Sequence, residues 1–355
     1  MAVLTGIDRE FIRRMPKARL HVHLEGSVYP ETLMSPGRKA RPATPVRVGR
    51  RGARLVLIQG FSTFHEVYVE ICNCLQDEED YEFITLDMAR RAARQNLRYM
   101  EVTFAPVSIL NPRNSALPDV VMSGVRSGAE IAAREHDVEL QFIFDPVRGR
   151  SPEEVLASAG GGSTTPGDRL VGFGLRGLEL GNPASRFLDA FELVRSAGAE
   201  SHCMPERPMG PSVRDALATG AERIGHGVRA IEDERLVCEL AEMEMLLEVS
   251  PTSNIRLGVY PAYADHPFKL LADSGVRLTV NSDDPPMFDT TLTKEYEVLV
   301  EHFDYTIPEL LELTKNAIHG SFLDATRQRA MDEAFDREIR ELADELGIDL
   351  DPNGS

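Results

Sequence analysis

The sequence predicts an α/β fold in which eight strand–helix units close into a (β/α)8 barrel, the TIM barrel. Three observations predict it. Short apolar strands and helical segments alternate about eight times, the pattern of parallel strands joined by helices. No Gly-x-Gly-x-x-Gly follows the first strand, which disfavours the doubly wound open sheet that such alternation also permits. Polar residues recur where the apolar strands stop, the end of a barrel that carries catalytic side chains. Length divided by about 150 residues suggests two domains, yet barrels of this size form one, so residues 1–355 are read as one domain.

Residues 1–17 read as a short leader helix and turn. Residues 19–24 read as the first strand. Successive side chains of a strand face opposite ways, so His21 and His23 share one face and Leu20 and Val22 the other. Pro30-Glu31-Thr32-Leu33 starts a helix, and helical spacing returns over 66–75 and 80–95. A buried strand over 98–106 is stopped by Pro106; a helix over 118–136 and a strand over 138–144 follow. A helix opening at Pro152 decays into Gly160-Gly161-Gly162-Ser163, and 170–175 is another strand. Helices are expected over 184–197, 213–219, 232–244 and 267–272, with strands over 223–227, 245–249 and 277–281. From Thr293 the pattern is mainly helical and ends in an acidic tail.

With 42% apolar residues and no Trp, the composition is that of a soluble globular protein. The net charge of -18 argues against a general nucleic-acid binder, which needs a basic face. No apolar run reaches membrane-spanning length, and the N-terminus lacks a signal-peptide layout. The four cysteines, Cys72, Cys74, Cys203 and Cys238, match neither a disulfide framework nor a CxxC pair. They indicate mostly buried thiols and a cytoplasmic, reducing location.

His21 and His23 make a natural half of a metal site, because neutral imidazole is a common ligand for zinc-like ions. A pair of ordinary histidines on a polar strand face is the plainer alternative. The pair gains weight from polar residues at later strand ends: Gly177 and Glu179, His226, Ser250, and Asp283 with Asp284. A carboxylate with two or three imidazoles can hold one divalent ion and leave a position for a water made nucleophilic there. A further His and a Glu would then serve proton transfer. His226 between two glycines could equally be a packed histidine, and Asp283-Asp284 before Pro285-Pro286 an Asx turn. His65, His136, His302 and His319 read as surface residues, and His266, before Pro267, as a residue at a helix start.

The stretch Pro16-Lys17-Ala18-Arg19-Leu20-His21-Val22-His23-Leu24-Glu25-Gly26-Ser27 resembles the opening signature of the adenosine deaminase family, within the amidohydrolase superfamily. So do Ile224-Gly225-His226-Gly227, Pro251-Thr252-Ser253-Asn254 and Asn281-Ser282-Asp283-Asp284-Pro285, and the resemblance runs from about residue 16 to 325. It implies a barrel of the metal-dependent hydrolase type with one Zn2+ per chain. Its activity would be hydrolytic deamination of a 6-aminopurine nucleoside by a zinc-activated water. His21, His23 and Asp283 would be metal ligands, His226 would orient the attacking water, and His23, Gly177 and Asp284 would face the substrate. Partners reduce to a small purine nucleoside, with no nucleic acid and no membrane; a homo-oligomer is left open.

The chain departs from the family at the fifth strand end, where His-Ala-Gly-Glu is expected to supply a third histidine ligand and a proton-shuttling Glu. Here the sequence is Ser201-His202-Cys203-Met204-Pro205-Glu206-Arg207-Pro208. His202 and Glu206 are present in kind but lie four apart instead of three, and the prolines suit a strand end poorly. Read from the third base, permitted codons for 202–209 spell Leu-His-Ala-Gly-Glu-Thr-Asn, the missing motif. A second odd stretch, with no acidic residue from Thr32 to His65, is rich in Arg and without period, as a GC-rich gene is out of frame. A solvated loop or, less well, a nucleic-acid patch would also produce it. Compensated frameshifts over 36–60 and 202–211 are the expected cause, and resequencing tests this: a locus free of insertions and deletions there removes the explanation. Divergence to an inactive barrel is the alternative. The Gly181-Asn182-Pro183 and Pro285-Pro286-Met287-Phe288 stretches resemble bacterial relatives acting on adenosine or 6-aminodeoxyfutalosine, with adenine less favoured.

Overall fold

The computed structural model describes residues 4–33, 61–104, 118–160, 169–177, 179, 181–204 and 210–350. Most of the basic acid-free run (34–60) and residues 205–209, Glu206 among them, lie outside the described residues.

Eight parallel strands follow one another around the barrel in chain order. They are β1 Lys17–Arg19, β2 Leu97–Phe104, β3 Glu139–Phe144, β4 Leu170–Phe173, β5 Glu200–Cys203, β6 Arg223–Gly225, β7 Leu246–Val249 and β8 Arg277–Val280. Helices such as Pro118–His136 and Glu234–Glu242 connect them on the outside, and Leu292–Phe303, Ile307–His319 and Ala325–Leu346 follow β8. The predicted (β/α)8 architecture is the observed one. Helix starts are set by short polar side chains: Asp77 accepts from the Asp80 N–H, and Thr306 with Glu309 forms a capping box.

The barrel closes between β8 and β1 through single contacts. Val22 and Asp283 form one parallel bridge, and Asn281 Oδ1 accepts from the N–H groups of Leu20 and His21 at 3.1 and 3.0 Å. The strand expected over 19–24 is accordingly shorter. Regular pairing stops at Arg19, and the chain continues through isolated bridges at Val22 and His23 into a 3-10 turn at Glu25–Ser27. A side-chain amide there does the work of a backbone ladder. β5 had no apolar run to announce it, because Glu-Ser-His-Cys is polar; the resemblance alone placed it.

Deep in the barrel, Arg223 from β6 lies between Glu101 from β2 and Glu248 from β7, at 2.5 and 2.8 Å. All three are buried, and the guanidinium lies 3.6 Å over the Phe322 ring. Glu101 also accepts from Tyr99 OH and from the Phe322 N–H, each at 2.6 Å. Buried charges are tolerated when paired and hydrogen-bonded in this way. Of the four cysteines, Cys72, Cys74 and Cys203 are buried and Cys238 is exposed. Among the described residues no helix is long and apolar enough to cross a membrane.

Candidate metal and catalytic centre

Above this layer, at the C-terminal ends of the strands, the chain from β1 brings His21 and His23 to the chain from β8 carrying Asp283. Asp283 Oδ1 lies 3.2 Å from His23 Nε2 and 3.5 Å from His21 Nε2. The two imidazole rings meet edge to face with centroids 5.5 Å apart. Asp283 Oδ2 accepts from Ser253 Oγ at 2.6 Å and lies 3.9 Å from His226 Nε2. Both His226 and Asp283 have left-handed backbone angles, φ 56 in each case, which are uncommon outside glycine and gather at functional sites.

The donor set suits a divalent cation. One atom each of His21, His23 and Asp283 lies within 4.8 Å of the others, and all three residues are buried. His21 Nε2 has no hydrogen-bond partner among the described residues, while its Nδ1 lies 3.0 Å from Glu248 Oε2. A carboxylate on the far nitrogen fixes the ring and leaves the near nitrogen as a ligand, the usual support for a metal-binding histidine. His23 Nδ1 faces Thr103 Oγ1 at 2.7 Å and the Arg176 guanidinium at 3.2 Å.

Charge and burial act oppositely on the two histidines. Burial disfavours the charged form of His21, but Asp283 and Glu248 outweigh it and raise its pKa to about 9. Burial, with Arg176 adding to it, pushes His23 down to about 3 despite Asp283. His226 falls to about 4 through burial and the neighbouring His21. The aspartates diverge as well. The Asp283 carboxylate resists burial and, beside His21 and His23, sits well below its ordinary pKa. Burial and the Asp283 charge raise Asp284 well above the usual carboxylate range. Neither Asp284 oxygen has a hydrogen-bond partner among the described residues. An added Cβ on Gly26 would lie 1.4 Å from Asp284 Oδ1, so only glycine admits this carboxyl.

The structure brings His21, His23, His226, Asp283 and Asp284 together. Gly177 lies just beyond β4 in a left-handed turn, φ +98. His202 enters the barrel from β5 and meets the His21 ring at a centroid distance of 5.6 Å. Its Nε2, however, lies 2.8 Å from Glu248 Oε2, in a second trio of His21, His202 and Glu248. It is not in the set of His21, His23 and Asp283.

The sequence did not single out the groups that surround these residues. Arg176 donates to Tyr68 OH at 2.5 Å, Tyr68 donates to Glu25 Oε2 at 2.9 Å, and Arg176 Nε lies 3.5 Å from Asp145 Oδ2. Burial raises the Asp145 carboxyl to about 6, with Arg176 opposing. Glu248 carried a usable signal, a charge inside the short apolar run Leu246–Val249, whereas Arg223, beside Glu222, carried none. Arg176 and Tyr68 carried none. A cavity of about 1130 Å³ at the other end of the barrel, lined by Arg98, Arg169 and Phe322 among others, touches none of the clustered residues.

An eight-stranded parallel barrel with imidazoles and carboxylates converging at its C-terminal mouth defines a metal-dependent hydrolase of the amidohydrolase type. Within that class the chain belongs to the adenosine deaminase family, which it matches over residues 16–338. It is 35% identical over 319 residues to an adenine deaminase of Rhizobium leguminosarum bv. trifolii, covering 89% of this chain and 98% of that protein. It is 36% identical over 329 residues to an aminodeoxyfutalosine deaminase of Streptomyces avermitilis, 90% of each chain. The crystal structure of a Burkholderia ambifaria amidohydrolase with bound Zn shares the fold, with a TM-score of 0.87, 23% identity, and coverage of 98% of this chain and 96% of that one.

Proposed function

We propose that this chain hydrolyses the exocyclic amine of a 6-aminopurine, giving the 6-oxo product and ammonia. The observation that carries the reading is the convergence of His21, His23 and Asp283 beside His226 and Asp284. A divalent ion, zinc in this reading, would be held by His21, His23 and Asp283 and would bring the pKa of a water towards neutrality.

The chain's own residues supply the remainder. His21 is steadied by Glu248, and Asp283 by the Ser253 hydroxyl. Asp284, kept protonated by burial and by its neighbour, offers a hydrogen to a ring nitrogen of the purine. His226 faces Asp283 and orients the incoming water for addition to C6. Glu206 is the proposed carrier of the proton that leaves with ammonia, on the ground of its place after His202 in the sequence.

The substrate class we propose is a purine nucleoside, adenosine or 6-aminodeoxyfutalosine, supported by the 36% identity to the Streptomyces protein over 90% of both chains. Adenine is a second reading, favoured by the 35% identity to the Rhizobium protein. A third, a barrel of this family with impaired turnover, is favoured by the contact of His202 with Glu248 and by its four-residue spacing from Glu206. Incubating the purified chain with adenosine, 6-aminodeoxyfutalosine and adenine separates the readings. Loss of ultraviolet absorbance with ammonia release, abolished by a chelator and restored by Zn2+, supports deamination and names the substrate. No turnover of any of the three after loading with Zn2+ leaves the impaired barrel.

A further inference from the structure

His266, expected to start a helix, does stand at the entry to Phe268–Asp273, and it is also buried within reach of the centre. Its ring is boxed by Tyr260, Phe303 and Phe268, with centroids at 5.2, 5.6 and 6.5 Å. Three contacts form a line from the Phe268 backbone through it to His226. The Phe268 N–H donates to His266 Nδ1 at 3.2 Å. His266 Nε2 lies 2.9 Å from Asn254 Oδ1. Asn254 Nδ2 lies 3.4 Å from His226 Nδ1.

The first contact sets the sense of the others, because a backbone amide can only donate. His266 Nδ1 must then carry a lone pair. Burial lowers the pKa of His266 to about 3, so the ring is neutral and its single hydrogen is on Nε2. That hydrogen is donated to the Asn254 oxygen, which turns the Asn254 NH2 towards His226. His226 Nδ1 therefore accepts, and the hydrogen of its neutral ring lies on Nε2, the nitrogen 3.9 Å from Asp283 Oδ2. We propose that His266 is a positioning residue which, through Asn254, locks His226 in the tautomer with its hydrogen on Nε2. The device deepens the deaminase reading and rests on it for the role of His226: the ring then meets the reacting water as a hydrogen-bond donor.

The relay is read directly by nitrogen NMR of the full chain labelled at histidine, with the His226 signals identified by their absence from His226→Gln. The native protein is expected to show Nε2 protonated and Nδ1 bare. Asn254→Asp puts an acceptor beside Nδ1 and should move the hydrogen there. His266→Leu should mix the tautomers and lower kcat by about 10- to 100-fold, the usual cost of losing an outer partner. His266→Gln, which keeps a donor near the Nε2 position, should restore most of both. A hydrogen on Nδ1 in the native protein overturns the relay, and so does an unchanged tautomer in folded Asn254→Asp. The native spectrum decides the point even where a variant fails to fold. It also separates the two claims. Nε2 protonation in a chain that turns over no 6-aminopurine keeps the relay and removes the deaminase reading. Turnover with the hydrogen on Nδ1 does the reverse.

Discussion

The interior of the barrel holds two charged layers that are built differently. In the lower, the Arg223 guanidinium sits between Glu101 and Glu248, and further donors come from Tyr99 and the Phe322 backbone. The upper gathers His21, His23, His226, Asp283 and Asp284, and Arg176 sits to one side near Glu25 and Asp145. Each layer contains buried carboxylates, and Arg176 lies between Glu25 and Asp145 much as Arg223 lies between Glu101 and Glu248; but Asp283 and Asp284, the carboxylates among the histidines, have no guanidinium ion pair among the described residues. On the proposed reading, the lower layer serves stability and the upper one receives the metal and the substrate. Glu248 belongs to both, through Arg223 below and His21 above.

Removing the lower cation should produce the largest effect. Arg223→Leu leaves Glu101 and Glu248 buried without their partner and is expected to cost about 3–5 kcal/mol of stability, read by denaturant unfolding. Folded Arg223→Leu should still bind metal through the upper trio, so loss of metal from native-like protein would break the comparison. Glu248→Gln tests the link between the layers. It weakens the support of His21 and should reduce metal affinity by about 10- to 100-fold in a competition titration. Asp284→Ala acts on the upper layer alone. It should raise the Michaelis constant about tenfold, as for loss of a hydrogen bond of about 1.4 kcal/mol, with metal content unchanged.

The last effect concerns pH. Glu295 accepts from the Thr252 N–H at 3.1 Å and so anchors the helix Pro251–Arg256 that carries Ser253 and Asn254. Burial raises its pKa from 4.5 to about 7. The folded state thus holds a proton that the unfolded state releases between these values. The stabilisation is complete below pH 4.5 and is lost as pH rises through 7. Unfolding of Glu295→Gln should lack that part of the decline; an identical pH profile in both proteins would remove the assignment.

Much of the upper layer was legible in the sequence because its residues interrupt apolar strands at the barrel end where function collects. His21, His23, His226 and Asp283 were found that way, although the strand carrying the first two stops at Arg19. The barrel was legible from the strand–helix alternation, except for β5, whose polar residues gave no hydrophobic run. The link from His266 could not be read, because its partner Asn254, although part of the Pro251–Asn254 motif, is 12 residues away on another element and nothing local to either residue marks the contact. The placement of His202 against Glu248 was also beyond reach, since it depends on the register of β5 against β6, where His202 pairs with Arg223.

The upper layer is proposed as a metal centre built on Asp283 and on His21 and His23, which follow β1. Elemental analysis of the purified full chain and of Asp283→Ala, both loaded with Zn2+ and desalted, tests it most directly. The account predicts about one ion per native chain and almost none in the variant. Equal retention of zinc by the two proteins would contradict it.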